Sequence, residues 1–341
     1  MEFNNYQTEK RFIGKYSELI KKIYFKYPDF CNAKIEEAKK NFNKKNPFLK
    51  FGNWENFLLL DKKRPVAHIS AINDKRLAPE IGLVGYFESL NSKKYGDKIF
   101  DRVVNFFSKE GKKTIRGPID FTTWKNFRIS YPEKPSPFFM EPYTRFYYRD
   151  LFQGYGFKTV QSNISMIQKI EETNFAESKK DFERLKKEKF VFKTITKKEL
   201  LSFAPDLHNL VINIFRDTWS FVNISLEELI YYFENFLEKE NKFLYIVQNK
   251  DKASVGFLLG APDFYSKRKK RVVLKIIGVL PEYRNLGIAP ALLYLAYRAS
   301  KENNISEFIY STMRDNNNEV KDLVGAAPEV FRKYEVFELS I

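Results

Sequence analysis

The chain has 341 residues and a formal net charge of +16, from 59 Lys and Arg against 43 Asp and Glu. That length exceeds what one hydrophobic core usually serves, so two domains are expected; with 43% hydrophobic and 30% charged residues, the composition excludes a disordered chain. The single Cys31 excludes an internal disulfide framework, and with only His68 and His208 no metal site is expected. No apolar run is long enough to span a bilayer, and the start, MEFNNYQTEKR, lacks a signal-peptide core, so a cytoplasmic protein is expected.

Arg11 to Tyr27 carries apolar side chains at helical spacing, Pro28 interrupts it, and Cys31 to Asn43 reads as a second helix. Phe57–Leu60 and Val66–Ile72 read as strands joined by the turn Asp61-Lys62-Lys63-Arg64, followed by a strand over Ile81–Phe87. A helix with Ile99, Phe100, Val103, Val104 and Phe107 on one face ends near Gly111, an αL cap, and Thr114–Gly117 returns as a short strand. Gly117 to Phe157 is rich in proline and aromatics without clear periodicity, which suggests a packed connection rather than a tether. Glu171 to Lys189 is charged, free of Gly and Pro, and reads as the crossing to a second half.

The second half repeats the order. Phe190–Thr196 is a strand, Pro205–Phe221 and Ser225–Glu238 are helices, and Ser225-Leu226-Glu227-Glu228 has capping-box spacing. Strands over Phe243–Gln248, Ser254–Gly260 and Val272–Leu280 precede a helix over Pro290–Asn303 and a strand over Glu307–Thr312. Superposing Gly85 on Gly278 overlays the two later helices, so the chain reads as an internal duplication. The expected ranges are 1–170, a connection over 171–189, and 190–341.

Between the Val272–Leu280 strand and its helix lies Arg284-Asn285-Leu286-Gly287-Ile288-Ala289. A small-residue turn entering a helix leaves the first N–H groups unpaired at the positive end of the helix dipole, which suits a phosphate. Arg284 supplies charged donors, and Gly287 and Ala289 permit close approach. The bland alternative is an ordinary strand–helix turn with a solvated arginine. In the first half Asn91 and Lys94 stand where Arg284 and Gly287 stand, so that turn is expected to hold a phosphate poorly.

Val279-x-Pro281-x-x-Arg284-x-x-Gly287-x-Ala289, after a strand and before an amphipathic helix, resembles the acyl-CoA signature of the GNAT N-acetyltransferase superfamily, Q/R-x-x-G-x-G/A. Gly117-Pro118, Arg128 and Pro137 to Tyr143 resemble what uncharacterised bacterial tandem GNAT proteins carry at this point. The resemblance implies an α/β (α+β) fold of two GNAT-like units, each a mixed twisted sheet flanked by helices, with a degenerate first unit. It implies that Val279, Leu280, Arg284, Asn285, Leu286, Gly287, Ile288 and Ala289 bind acetyl-CoA or another acyl-CoA, with Asn316 on the pantetheine arm or the acceptor. The implied activity is N-acyl transfer, other than aminoacyl transfer, with acetyl transfer from acetyl-CoA expected, to an amine of a small molecule or aminoacyl acceptor.

Many members place a glutamate on the strand before V-x-P and a tyrosine in the last helix; here Lys275, and Asp322 and Leu323, stand at those positions. Candidate replacement carboxylates are Glu88, Glu141 and Asp263, and candidate acceptor-binding residues are Arg128, Tyr143 and Trp219. Each of these residue types is also common in purely structural roles. A non-catalytic acyl-CoA sensor or scaffold is the first alternative. A basic nucleic-acid-associated protein is the second, and it lacks any helix-turn-helix, RNP-like or zinc pattern in support.

Overall fold

The computed structural model describes the chain except residues 5–8, 173–174, 197, 238–242 and 316–327. The chain forms two compact units. Unit 1 comprises Met1–Pro137, Pro142–Ser162 and Tyr334–Ile341; unit 2 comprises Phe138–Glu141 and Asn163–Lys333. Contiguous ranges were expected, and the units instead exchange segments.

Unit 1 begins with β1 (Glu2–Asn4), α1 (Glu9–Ile23) and α2 (Pro28–Asn41). Pro28 opens α2 rather than merely ending α1, since the first helical position needs no N–H. The strands β2 (Gly52–Asp61) and β3 (Arg64–Asp74) form the expected hairpin, with Lys62 and Lys63 both at positive φ in its turn. β4 (Ile81–Ser89), α3 (Lys93–Lys109) and β5 (Thr114–Gly117) follow, and Gly111 has the αL conformation expected after α3. β4 and β5 pair in parallel over Ile81–Leu83 and Thr114–Arg116. The segment expected to lack periodicity contains β6 (Ile129–Tyr131) and α4 (Tyr148–Tyr155). α4 buries Tyr148, Leu151 and Phe152 on α3 and β4.

β7 (Lys158–Lys169) carries the chain into unit 2, followed by α5 (Ala176–Lys187), β8 (Val191–Thr194), α6 (Leu200–Phe215) and α7 (Leu226–Leu237). The capping box forms: Glu228 N–H donates to Ser225 Oγ at 3.1 Å and Ser225 N–H to Glu228 Oε2 at 2.8 Å. β9 (Leu244–Gln248), β10 (Ser254–Pro262), β11 (Arg271–Val279), α8 (Ile288–Glu302), β12 (Glu307–Arg314) and β13 (Glu329–Ser340) complete the order.

The two sheets have one plan. In unit 1 the strands run β1-β2-β3-β4-β5 with the end of β13 beside β5, Phe337 opposite Gly117 and Ser340 opposite Thr114. In unit 2 they run β8-β9-β10-β11-β12 with β7 beside β12, Ile167 opposite Ile309 and Asn163 opposite Arg314. Each sheet is therefore closed by a strand that the other half of the sequence supplies. α3 packs on one sheet with Ile99, Phe100, Val103 and Phe107 buried, and α8 on the other with Leu292, Leu295 and Ala296.

Candidate functional site

The site in unit 2 is built where β11 leaves β12. The two strands pair in parallel only as far as Leu274 and Tyr310. On its other side β11 stays paired with β10 to Val279, and Lys275 is the extra residue of a bulge there. Among the described residues, Ile276–Val279 thus have no ladder partner on the β12 side. The result is a slot edged by backbone donors and acceptors.

The chain then makes one 3₁₀ turn over Pro281–Tyr283 and enters α8 through Arg284–Gly287. Asn285 sits at φ +62° and Gly287 at φ +79°. Gly287 caps α8 without any side-chain cap, and the first helical bond runs from Ala291 N–H to Gly287 O at 3.0 Å. The N–H groups before Ala291 therefore have no acceptor within the helix. Arg284, Asn285 and Leu286 are exposed, Ile288 is buried in the core, and Ala289 is half-buried.

α5 leans on this turn, which sequence reading missed. Arg184 donates to Leu286 O at 2.7 Å and to Asp181 Oδ1 at 2.9 Å. A Cβ added at Gly287 would fall 2.5 Å from the Asp181 carboxylate. Its φ favours glycine, whereas the Asp181 carboxylate is the end of a flexible side chain that can move aside. The nearby carboxylate is a like charge for any phosphate at the turn.

In unit 1 the corresponding slot is filled by the chain itself. Ile119 N–H donates to Val84 O at 2.7 Å, and Tyr86 N–H to Asp120 Oδ1 at 2.6 Å. A Cβ at Gly85 would lie 2.3 Å from Ile119 O, so the plug sits directly against β4. Asn91 and Lys94, the counterparts of Arg284 and Gly287, lie at the start of α3.

The three candidate carboxylates are each buried and ion-paired. Glu141 and Arg332 are both fully buried, with Arg332 Nε donating to Glu141 Oε1 at 2.7 Å and Phe138 N–H to Glu141 Oε2 at 3.1 Å. Asp263 holds Arg271 through Oδ2 (3.0 Å to Nε) and accepts from Phe139 N–H at 2.9 Å and Tyr265 N–H at 3.2 Å through Oδ1. Glu88 lies at the bottom of a polar cluster in unit 1, 2.8 Å from Lys34 Nζ, and accepts from Tyr148 Oη at 2.8 Å. Burial there pushes Asp120 up to about 7 against the pull of Lys34, and takes His68 down to about 3. Burial works to lower Lys34, but Glu88 and Asp120 outweigh it and raise it.

Tyr143 is buried in unit 1 among Tyr24, Tyr27 and Phe30, donating to Glu133 O at 3.0 Å, so it is a packing residue. Arg128 stacks on Phe127 in unit 1 with its backbone at φ +98°. Trp219 is half-buried in the turn after α6 of unit 2. Lys275, standing where a family glutamate was expected, donates to Met140 O at 2.8 Å. Asn316, Asp322 and Leu323 lie outside the described residues. Among those described, no group of three His, Cys, Asp or Glu is placed to hold a metal, and no helix is long and apolar enough to cross a membrane.

A parallel pair of strands that part, a glycine turn and a helix opening at that point form one slot that ends on exposed backbone N–H groups. Residues 208–323 match the model of the acetyltransferase (GNAT) family. That match lies within unit 2 and covers about a third of the chain. A tandem GNAT protein from the clavulanic acid biosynthesis pathway superposes with a TM-score of 0.59 at 10% identity, over 99% of this chain and 98% of that one. A probable N-acyltransferase of Enterococcus faecalis V583 gives 0.60 at 11% identity, over 100% and 73%. A GCN5-related N-acetyltransferase from Sphaerobacter thermophilus gives 0.52 at 11%, over 95% and 92%. At these identities the likeness is one of fold. No curated protein matches the sequence.

Proposed function

We propose that the protein is an acyl-CoA-dependent N-acyltransferase whose donor binds in unit 2 alone. The observation that carries this is the contrast between the slots: among the described residues no strand pairs with Ile276–Val279 of β11 on the β12 side, whereas β4 is already bonded to Ile119 and Asp120. The diphosphate of the donor lies on the Gly287–Ala289 turn with Arg284 beside it, and the pantetheine arm adds to the free edge of β11 as a strand would. Asp181 fits this imperfectly, since its charge must turn away, while Arg184 stays held by Glu188 and Leu286 O.

In the reaction a neutral amine nitrogen attacks the thioester carbonyl carbon, forming the C–N bond. The oxyanion is held by backbone N–H near Val279; the C–S bond then breaks and the thiolate takes up the proton the nitrogen loses. A thiol of pKa ~8.5 leaves without a strong acid. Positioning in the slot is worth roughly 7–11 kcal/mol at best, so a dedicated carboxylate is not required.

The pairing of Glu88, Glu141 and Asp263 favours one second reading, a non-catalytic acyl-CoA-binding protein. Thermal unfolding with acetyl-CoA and longer acyl-CoAs tests binding: a ligand at 100 times its Kd adds about 2.7 kcal/mol, a visible rise in Tm. Thiol release with a panel of small-molecule and aminoacyl amines then separates the two. No shift with any acyl-CoA overturns both.

A further inference from the structure

On the face of the unit 2 sheet away from α8, an apolar pocket lies between α6, α7 and strands β9 to β11. Its floor is Leu244, Phe257, Leu259 and Ile276, and Ala204, Leu207, Val211, Leu229 and Phe233 come down from the helices. Among the described residues, only apolar side chains line it. Leu201, two-thirds exposed, stands among its walls.

The pocket and the slot share Ile276 of β11. Ile276, one of its walls, opens the stretch Ile276–Val279 that β12 does not pair. Phe257 and Leu259, opposite Gly278 and Ile276 in the ladder, share that face. At about 3.3 Å per residue, Ile276 is only some 10 Å along the strand from Val279.

We propose that this pocket receives the acyl chain of the donor, and that the donor's acyl group is aliphatic and longer than acetyl. The inference rests on the acyl-CoA reading of the slot. The portion of an acyl-CoA that continues past the sulfur is the part that enters a pocket beginning at Ile276. The acceptor is a poor occupant, because an amine needs a hydrogen-bond partner and the lining offers none. Water gains nothing there either, since a water needs two to four polar partners. An aliphatic chain loses only its contact with solvent.

The test is calorimetric measurement of Kd for CoA and for acetyl-, butyryl-, hexanoyl- and octanoyl-CoA. Affinity is expected to rise by roughly fourfold per methylene until the pocket is full, from about 0.8 kcal/mol for each buried CH₂. Ala204→Phe, which fills the pocket, and Leu201→Glu, which puts a charge at its mouth, should each shrink the ratio of octanoyl- to acetyl-CoA affinity by at least tenfold. Leu201 is exposed enough that its variant folds even where Ala204→Phe does not, and apo melting curves check both. Equal affinity along the series overturns the proposal while leaving the slot intact, as does a chain-length gain that both variants preserve. If CoA itself does not bind, the reading of the slot falls first and this one with it.

Discussion

Glu141 and Arg332 form an ion pair with both side chains fully buried, and they lie 191 residues apart in sequence. Removing one partner leaves the other charged in a place without water, at a cost of about 3–5 kcal/mol; removing both leaves no stranded charge. Glu141→Gln and Arg332→Met are therefore each expected to destabilise unit 2 by that amount, and the double variant by far less than the sum. At roughly 2–4 °C per kcal/mol for a unit of this size, each single change lowers Tm by about 10 °C. Urea unfolding of the four proteins followed by circular dichroism gives the coupling, and CoA affinity measured below the transition reports whether the slot persists. Additive losses would refute the ion-pair argument. A Glu141→Gln protein as stable as the parent but without turnover would return that carboxylate to catalysis.

Arg284→Ala should weaken acyl-CoA binding by roughly 1.5–3 kcal/mol through lost contacts to phosphate, whereas Asn91→Ala should leave it unchanged; equal losses would mean two working sites. Asp181→Asn removes a like charge from beside Gly287, so acyl-CoA affinity should rise, by an amount that shrinks with added salt; a fall in affinity would show that Asp181 instead supports the turn. Asp120 has its pKa raised from 3.8 to about 7 by burial, so the folded state favours its protonated form. The stability this gives is present in acid and disappears as pH rises through 7, leaving a penalty on the order of 4 kcal/mol above it. Asp120→Asn, which keeps an oxygen for Tyr86 N–H, should thus stabilise the protein at pH 8 and make little difference near pH 4. Urea curves at the two pH values check this, and an equal effect at both would remove burial as the cause.

Local signals in the sequence carried most of the elements. The apolar run of β11, the turn to α8, the hairpin at Lys62-Lys63 and the Ser225–Glu228 box all follow from short-range chemistry, and each stands where the residues indicate. Gly85 and Gly278 mark equivalent strands because the two sheets share a plan. What was not legible depends on partners far along the chain. Nothing near Glu141 announces Arg332, and nothing near Asp263 announces that its carboxylate will cap Phe139. The sealing of the unit 1 slot was legible only as missing residues at Asn91 and Lys94; the obstruction comes from Ile119 and Asp120, beyond β5. β7 did offer a signal, since Ile164 and Met166 alternate with Asn163 and Ser165, but alternation says only that a strand exists and not which sheet receives it.

The exchange of closing strands also bears on how the chain is made. Unit 1 has Glu335 held by Arg149 at 2.6 Å, Glu338 by Arg116 at 2.7 Å, and Phe337 buried against Phe152. All three anchors come from Tyr334–Ile341, so the N-terminal sheet has an open edge at β5 throughout synthesis of the 163–333 region. During translation an unpaired edge of this kind invites wrong partners, other nascent chains included. Production of the first 162 residues alone should yield aggregate, and supplying residues 329–341 as a separate peptide should rescue solubility.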